Sequence, residues 1–118
     1  IMRWEPELPR DVDITSAFND HQRGDKGLGP ALGPDAATMA ARIFRDAGFD
    51  VHTGQSPWRI GPDQATLHRA LVEGIAQAAS EKGVAVAGDW GRSRAAMAGD
   101  SRVLIGHHDM LALPPGTA

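Results

Sequence analysis

Five residues with chemistry to offer crowd into one stretch: His21, Gln22, Arg23, Asp25 and Lys26. A histidine such as His21 can accept a proton from a hydroxyl or an amine near neutral pH. Arg23 and Lys26 carry positive charge that can orient an acidic ligand. Beside them lies Gly24 to Pro34, with four glycines and two prolines in eleven residues, too many for a regular element. The same residues also read as a helix C-terminus whose cationic end complements the dipole, followed by a structured linker. Trp58 follows a break at Ser56-Pro57. It either meets an aromatic ligand or the adjacent loop, or fills the core.

Two further patterns are weaker. Gly27-Leu28-Gly29 with Gly33 precedes a helix and superficially resembles a phosphate cradle. It follows a helix rather than a strand, Pro30 and Pro34 remove two N–H donors, and no Gly-Lys-Ser/Thr is present. His107-His108-Asp109 invites a metal. Adjacent strand residues point to opposite faces, so His107 and His108 do not readily ligate one ion. A third ligand would have to come from His21, His52 or His68, and no spacing demands it, so no metal is expected. Ser56 lacks the Gly-x-Ser-x-Gly context of a nucleophile elbow.

Composition narrows the field. The 118 residues suffice for one domain, and 42% apolar with 23% charged is ordinary globular usage. Fifteen acidic residues against twelve basic give a net charge of −3, without the clustered Lys and Arg of a nucleic-acid surface or a polybasic membrane anchor. The absence of cysteine excludes disulfides, thiolate catalysis and Cys-based zinc sites. No apolar run approaches the roughly 20 residues that span a bilayer, and no signal-peptide pattern opens the chain. A cytoplasmic protein is expected. The start at Ile1-Met2-Arg3-Trp4 rather than at methionine points to a fragment or a processed product.

The elements that must position these residues follow from periodicity. Trp4, Pro6 and Pro9 mark an extended lead-in. Asp11 or Asp13 is a plausible N-cap for a helix carrying Ile14, Ala17, Phe18 and His21, running to about Arg23. A second helix starts at Pro34 or Asp35, presents Ala36, Met39, Ala40, Ile43, Phe44 and Ala47 as a buried stripe, and stops at Gly48. Residues 49–53 alternate as a strand, continued by 56–60 after a break at Pro57. A third helix from about Pro62 or Asp63 carries Leu67, Leu71, Ile75, Ala78 and Ala79 on one face and ends before Gly83, with Gly74 offering a close backbone approach. Residues 84–100 fit a helix through Val86, Trp90, Arg94 and Met97, weakened by Gly88, Gly91 and Gly99. The last strand spans 102–113. Val103 to Ile105 is apolar on both faces, which predicts a central position. Residues 49–60 and 102–113 are expected to pair antiparallel. Two strands make a poor sheet, so neighbouring strands are also expected.

Several segments together resemble the C-terminal region of a bacterial family of class I S-adenosylmethionine-dependent methyltransferases. They are Arg3-Trp4, Phe18-Asn19-Asp20-His21-Gln22-Arg23, Asp25-Lys26-Gly27-Leu28-Gly29 and Ala31-Leu32-Gly33-Pro34, then Ala47-Gly48-Phe49-Asp50-Val51, Ser56-Pro57-Trp58 and Gly106-His107-His108-Asp109. The resemblance spans Arg3 to Pro115. It implies an α/β, Rossmann-like fold with helices on a sheet whose last two strands form an antiparallel unit, residues 49–60 being the sixth strand and 102–113 the seventh. The whole chain, 1–118, would be a single partial domain.

The resemblance places S-adenosylmethionine on an N-terminal half, at a glycine-rich turn after a first strand. Here no strand precedes a Gly-x-Gly-x-Gly turn, so no cofactor-binding residue carries over and the chain alone is not expected to bind the cofactor. The segment 19–34 would lie at the mouth of the acceptor site, since ligands of open α/β sheets bind beyond the strand ends. His21, Arg23, Lys26 and Trp58 are the expected substrate-binding residues, and His21 is the one weak catalytic candidate. The acceptor, a small molecule or a protein, would be methylated by direct displacement. The alternative is a non-catalytic α/β interaction domain that self-associates through an open sheet edge or binds a protein partner. A small-molecule-binding α/β domain is a third option.

Overall fold

The computed structural model describes residues 2–25, 27 and 29–116. Among them the elements run β1 (Met2–Glu5), α1 (Asp11–Arg23), α2 (Ala36–Asp46), β2 (Asp50–Gln55), β3 (Trp58–Ile60), α3 (Ala65–Glu81), α4 (Ala87–Ala96), β4 (Arg102–Ile105) and β5 (His108–Leu113). Short 3-10 turns at Gly33–Asp35, Pro62–Gln64 and Ala98–Asp100 flank the helices. The chain is α/β, with antiparallel sheets of three and two strands.

The expected pairing of 49–60 with 102–113 is present, in two pieces with one register. Asp50 faces Leu113 and Gln55 faces His108; Trp58 faces Ile105 and Ile60 faces Val103. Each pair of residue numbers adds to the same total. Between the pieces the Ser56 N–H donates to the His107 carbonyl over 2.9 Å. One ribbon therefore runs the whole length and is interrupted at Pro57, which has no N–H to give. The lead-in is itself a strand. β1 pairs antiparallel with β4, Met2 facing Ile105 and Trp4 facing Val103, so β4 is central as its apolar faces required. β1 and β3, both antiparallel to β4, run parallel to each other.

Cross-strand partners share a face. Trp4, Val103 and Ile60 stand in one row, all buried, and pack against Ile14 and Ala17 of α1, Val72, Ile75 and Ala79 of α3, and Trp90 of α4. Burying each large apolar side chain stabilises the fold by roughly 1.5–3 kcal/mol. α3 and α4 meet at Gly91, where a Cβ would lie 2.8 Å from the Cβ of Ala76. The expected close approach at Gly74 is not found, since a Cβ there would meet nothing from another element within 4 Å. The buried face of α3 is also turned from the expected one. His68 and Val72 point inward with Ile75, Ala78 and Ala79, while Leu67 is 49% exposed.

The second part of the molecule is α2 on the β2–β5 ribbon. Its expected buried stripe is overturned: among α2 residues only Ala41 is buried, and Ile43 is 57% exposed. Ala37 and Ala41 face Thr53 and Met110 across a small cleft, and Phe44 packs edge-on against Phe49 at 5.3 Å. A two-stranded ribbon is too narrow to cover a full apolar helix stripe. This part stands off the core: the radius of gyration is 17.0 Å, against about 13–14 Å for a compact chain of this length.

One buried ion pair closes the core. Asp11 is not the N-cap; it lies in the first turn of α1, with Arg10 at the cap position. Its carboxylate accepts from the Trp90 Nε1–H at 2.8 Å, the Leu8 N–H at 2.8 Å, and both Nε and Nη2 of Arg94. Arg94 is fully buried, donates through Nη1 to the Pro6 carbonyl at 2.8 Å, and lies 4.8 Å over the Trp4 ring. Breaking such a pair strands a buried charge, at a cost of about 3–5 kcal/mol. Arg94→Met should lower urea stability by about that amount. Arg92→Met, whose partner Asp89 is exposed, should leave the midpoint unchanged. Equal effects of the two variants would refute this reading of the pair.

Candidate functional site

His21 lies in the last turn of α1 beside the end of α3, and its Nε2 lies 2.5 Å from Glu81 Oε2. Arg23 donates from Nη1 to Asp20 at 3.3 Å and from Nη2 to Asp35 at 3.4 Å. Gly33 sits against it: a Cβ there would lie 2.8 Å from Arg23 Cγ, and the backbone φ of +56° favours glycine. The Ala31 N–H donates to the Arg23 carbonyl at 3.0 Å, so the loop returns onto the helix that it left. An acidic ligand at Arg23 would compete with both Asp20 and Asp35. Lys26 lies outside the described residues.

Asp25 organises the glycine loop. One carboxylate oxygen accepts from the N–H groups of Gly27 at 2.8 Å and Gly29 at 2.9 Å. These bonds favour the charged form and hold the carboxyl below its ordinary value. The donors that resembled a phosphate cradle thus already bind an anion from within the chain.

Trp58 is 55% exposed and is not core filler. Its ring stacks on His107 at 4.4 Å and 27°, where the ribbon breaks. β5 starts only at His108, so His107 lies in the gap, with Nδ1 3.3 Å from the Ile105 carbonyl. His52 and His108 are exposed on the ribbon while His68 is in the core, so the histidines do not converge. Among the described residues no group of three or more His, Asp or Glu could hold a metal ion. The candidate residues therefore divide between two places: His21 and Arg23 at the end of α1, and Trp58 at the ribbon break.

His68 has a different setting from the other histidines. It is fully buried on α3, 5.7 Å from the Trp4 ring in an edge-on contact, and neither ring nitrogen has a hydrogen-bond partner among the described residues. Burial, then the positive charges of Arg94 and Arg69, push its pKa below 6.5. Its spacing with Val72, Ile75 and Ala79 is that of one helix face, but Leu67 and Leu71 offer a competing apolar face that draws the reading away from it. A second feature is absent from any sequence motif: Arg3, Arg59 and Arg102, from three different strands, line one cavity of about 540 Å³ on the sheet face opposite the helices.

No protein-family model, curated protein or solved structure matches this chain. Among the described residues no helix is long and apolar enough to cross a membrane.

Two outcomes test the site description. A lowered folded-state pKa means that His68 favours folding in its neutral form. Its contribution is present above about pH 6.5 and is lost as pH falls through the folded-state pKa. Urea midpoints should drop over that range, and His68→Leu should flatten the drop; an unchanged profile in the variant would oppose it. Trp58 is exposed while Trp4 and Trp90 are each 3% exposed. Acrylamide should quench one fluorescence component, and Trp58→Phe should remove it. Persistence of that component would show another tryptophan at the surface.

Proposed function

We propose that this chain is the C-terminal part of a class I S-adenosylmethionine-dependent methyltransferase acting in the cytoplasm, with the segment 19–34 at the methyl-acceptor site. Beside the motif resemblance, one structural observation supports the reading: residues 49–60 and 102–113 pair antiparallel, through β2 with β5 and β3 with β4. The resemblance called for an antiparallel terminal unit of this kind. The outer edge of β1 is unpaired among the described residues, leaving room for further strands.

The residues present do not fit the cofactor. The one turn from a strand into the first helix is Pro6-Glu7-Leu8-Pro9-Arg10, with two prolines and no glycine. Asp11 beyond it is committed to Arg94, Trp90 and the Leu8 amide. The chain's part in the reaction is thus on the acceptor side. His21, beside Glu81, is the candidate to accept a proton; Arg23 and Lys26 would orient an acidic acceptor, and Trp58, apart from them at the ribbon break, would contact only an aromatic acceptor that reaches it.

A second reading, a self-associating interaction domain, draws on the exposed Ile43, Phe44 and Leu111 and on the unpaired ribbon edges.

Calorimetric titration of S-adenosylmethionine into this chain and into the longer product of its reading frame separates the readings. The methyltransferase reading expects no binding by the chain alone and saturable binding by the longer product. Micromolar binding by the short chain, or none by the longer product, would overturn it.

A further inference from the structure

The face of the three-stranded sheet turned away from the helices follows from register. Trp4, Val103 and Ile60 point into the core, so their neighbours along each strand point outward. Arg3 faces Leu104, Leu104 faces Arg59, and Glu5 faces Arg102. Neighbouring strands lie about 4.8 Å apart. Arg3 and Arg59 therefore stand about 10 Å apart across Leu104, with Arg102 about 7 Å further along β4. Long arginine stems let three guanidinium groups from such positions converge on one ligand.

These three arginines form no ion pair or side-chain hydrogen bond with any described residue. Arg42, Arg45 and Arg69 likewise have no ion pair among the described residues, so what sets Arg3, Arg59 and Arg102 apart is that all three line one concavity. Glu5 opposes Arg102 directly, whereas Arg3 and Arg59 face only the uncharged Leu104 across β4, which leaves their charges available to an anion. The groups line a concave space of about 540 Å³ that Gly61 and Asp63 also border, within the range of small-molecule sites. Gly61 keeps that side open, for a Cβ there would stand 3.1 Å from Asp63 Oδ1 and 3.7 Å from Arg102 Nη1.

We infer that this concavity binds the phosphate monoester of a small hydroxylated molecule. Three guanidinium groups suit a dianion with several oxygens better than a carboxylate, which one bidentate arginine satisfies. Glu5 and Asp63 line the same space and, when ionised, only accept hydrogen bonds. They suit hydroxyl groups on the body of the ligand. The same two carboxylates would repel a continuous polyphosphate backbone, which argues against a nucleic acid. This site is independent of the methyltransferase reading and shares no residue with the proposed acceptor region.

The test is an NMR titration of the intact chain at constant ionic strength, following arginine Nε–H and backbone amide signals. The probes are ribose 5-phosphate, inorganic phosphate and ribose. Saturable shifts are expected at Arg3, Arg59, Arg102 and Gly61, with ribose 5-phosphate binding more tightly than phosphate and ribose giving none. Arg59→Gln and Arg3→Gln, both at exposed positions, should each weaken binding about tenfold, the loss of one charge-assisted contact. Arg69→Gln on α3 should change nothing. The inference falls if the shifts stay linear with concentration, if they spread equally over Arg10 and Arg42, or if Arg59→Gln and Arg3→Gln bind as the parent chain does.

Discussion

The ion pair between Arg94 and Asp11 is the contact on which the rest of the core is hung. A guanidinium with no solvent exposure is tolerable only when its charge and its donors are met. Meeting them draws together the Pro6 carbonyl, the first turn of α1, the indole of Trp90 and the ring of Trp4. Chain segments more than eighty residues apart are thereby held in register. With the turn after β1 fixed to α4, β1 is carried alongside β4, and Trp4 enters the space between sheet and helices.

The molecule divides by how well its apolar surface is matched. α1, α3 and α4 cover one face of three strands, and there the large side chains are buried. α2 has only a ribbon beneath it, so Ile43 and Phe44 remain at the surface although their spacing is that of a buried stripe. The helix is the same object in either setting, and the width of its partner decides what it buries. The break at Pro57 marks the border between the two parts, and Trp58 and His107 stack there across the interrupted ladder.

Charge behaves in the same way. The acidic net charge of −3 conceals a local excess, because three arginines far apart in the chain arrive on one face of adjacent strands. The glycine loop shows the converse: amide groups that could have served a phosphate are occupied by Asp25. Counting residue types describes neither outcome. Each depends on which groups the backbone brings within hydrogen-bonding reach.

What local rules govern was readable without coordinates. The extent of α1 to Arg23, the left-handed stop at Gly48 and the break at Pro57 rest on backbone preference and short-range periodicity, and the apolar run at Val103 marked a central strand; the partnership of 49–60 with 102–113 was the one distant pairing that strand pattern alone suggested. What else depends on partners distant in the chain was not. The lead-in became a strand because β4 offered it an edge. Asp11 left the cap position for Arg94. His68 rather than Leu67 turned inward beside Trp4, and Gly91 rather than Gly74 carried the close helix contact. Sequence alone set the elements and their order, since propensity and periodicity act within a few residues. Tertiary structure chose which faces are buried and which charges meet, since those energies exist only between surfaces brought into contact.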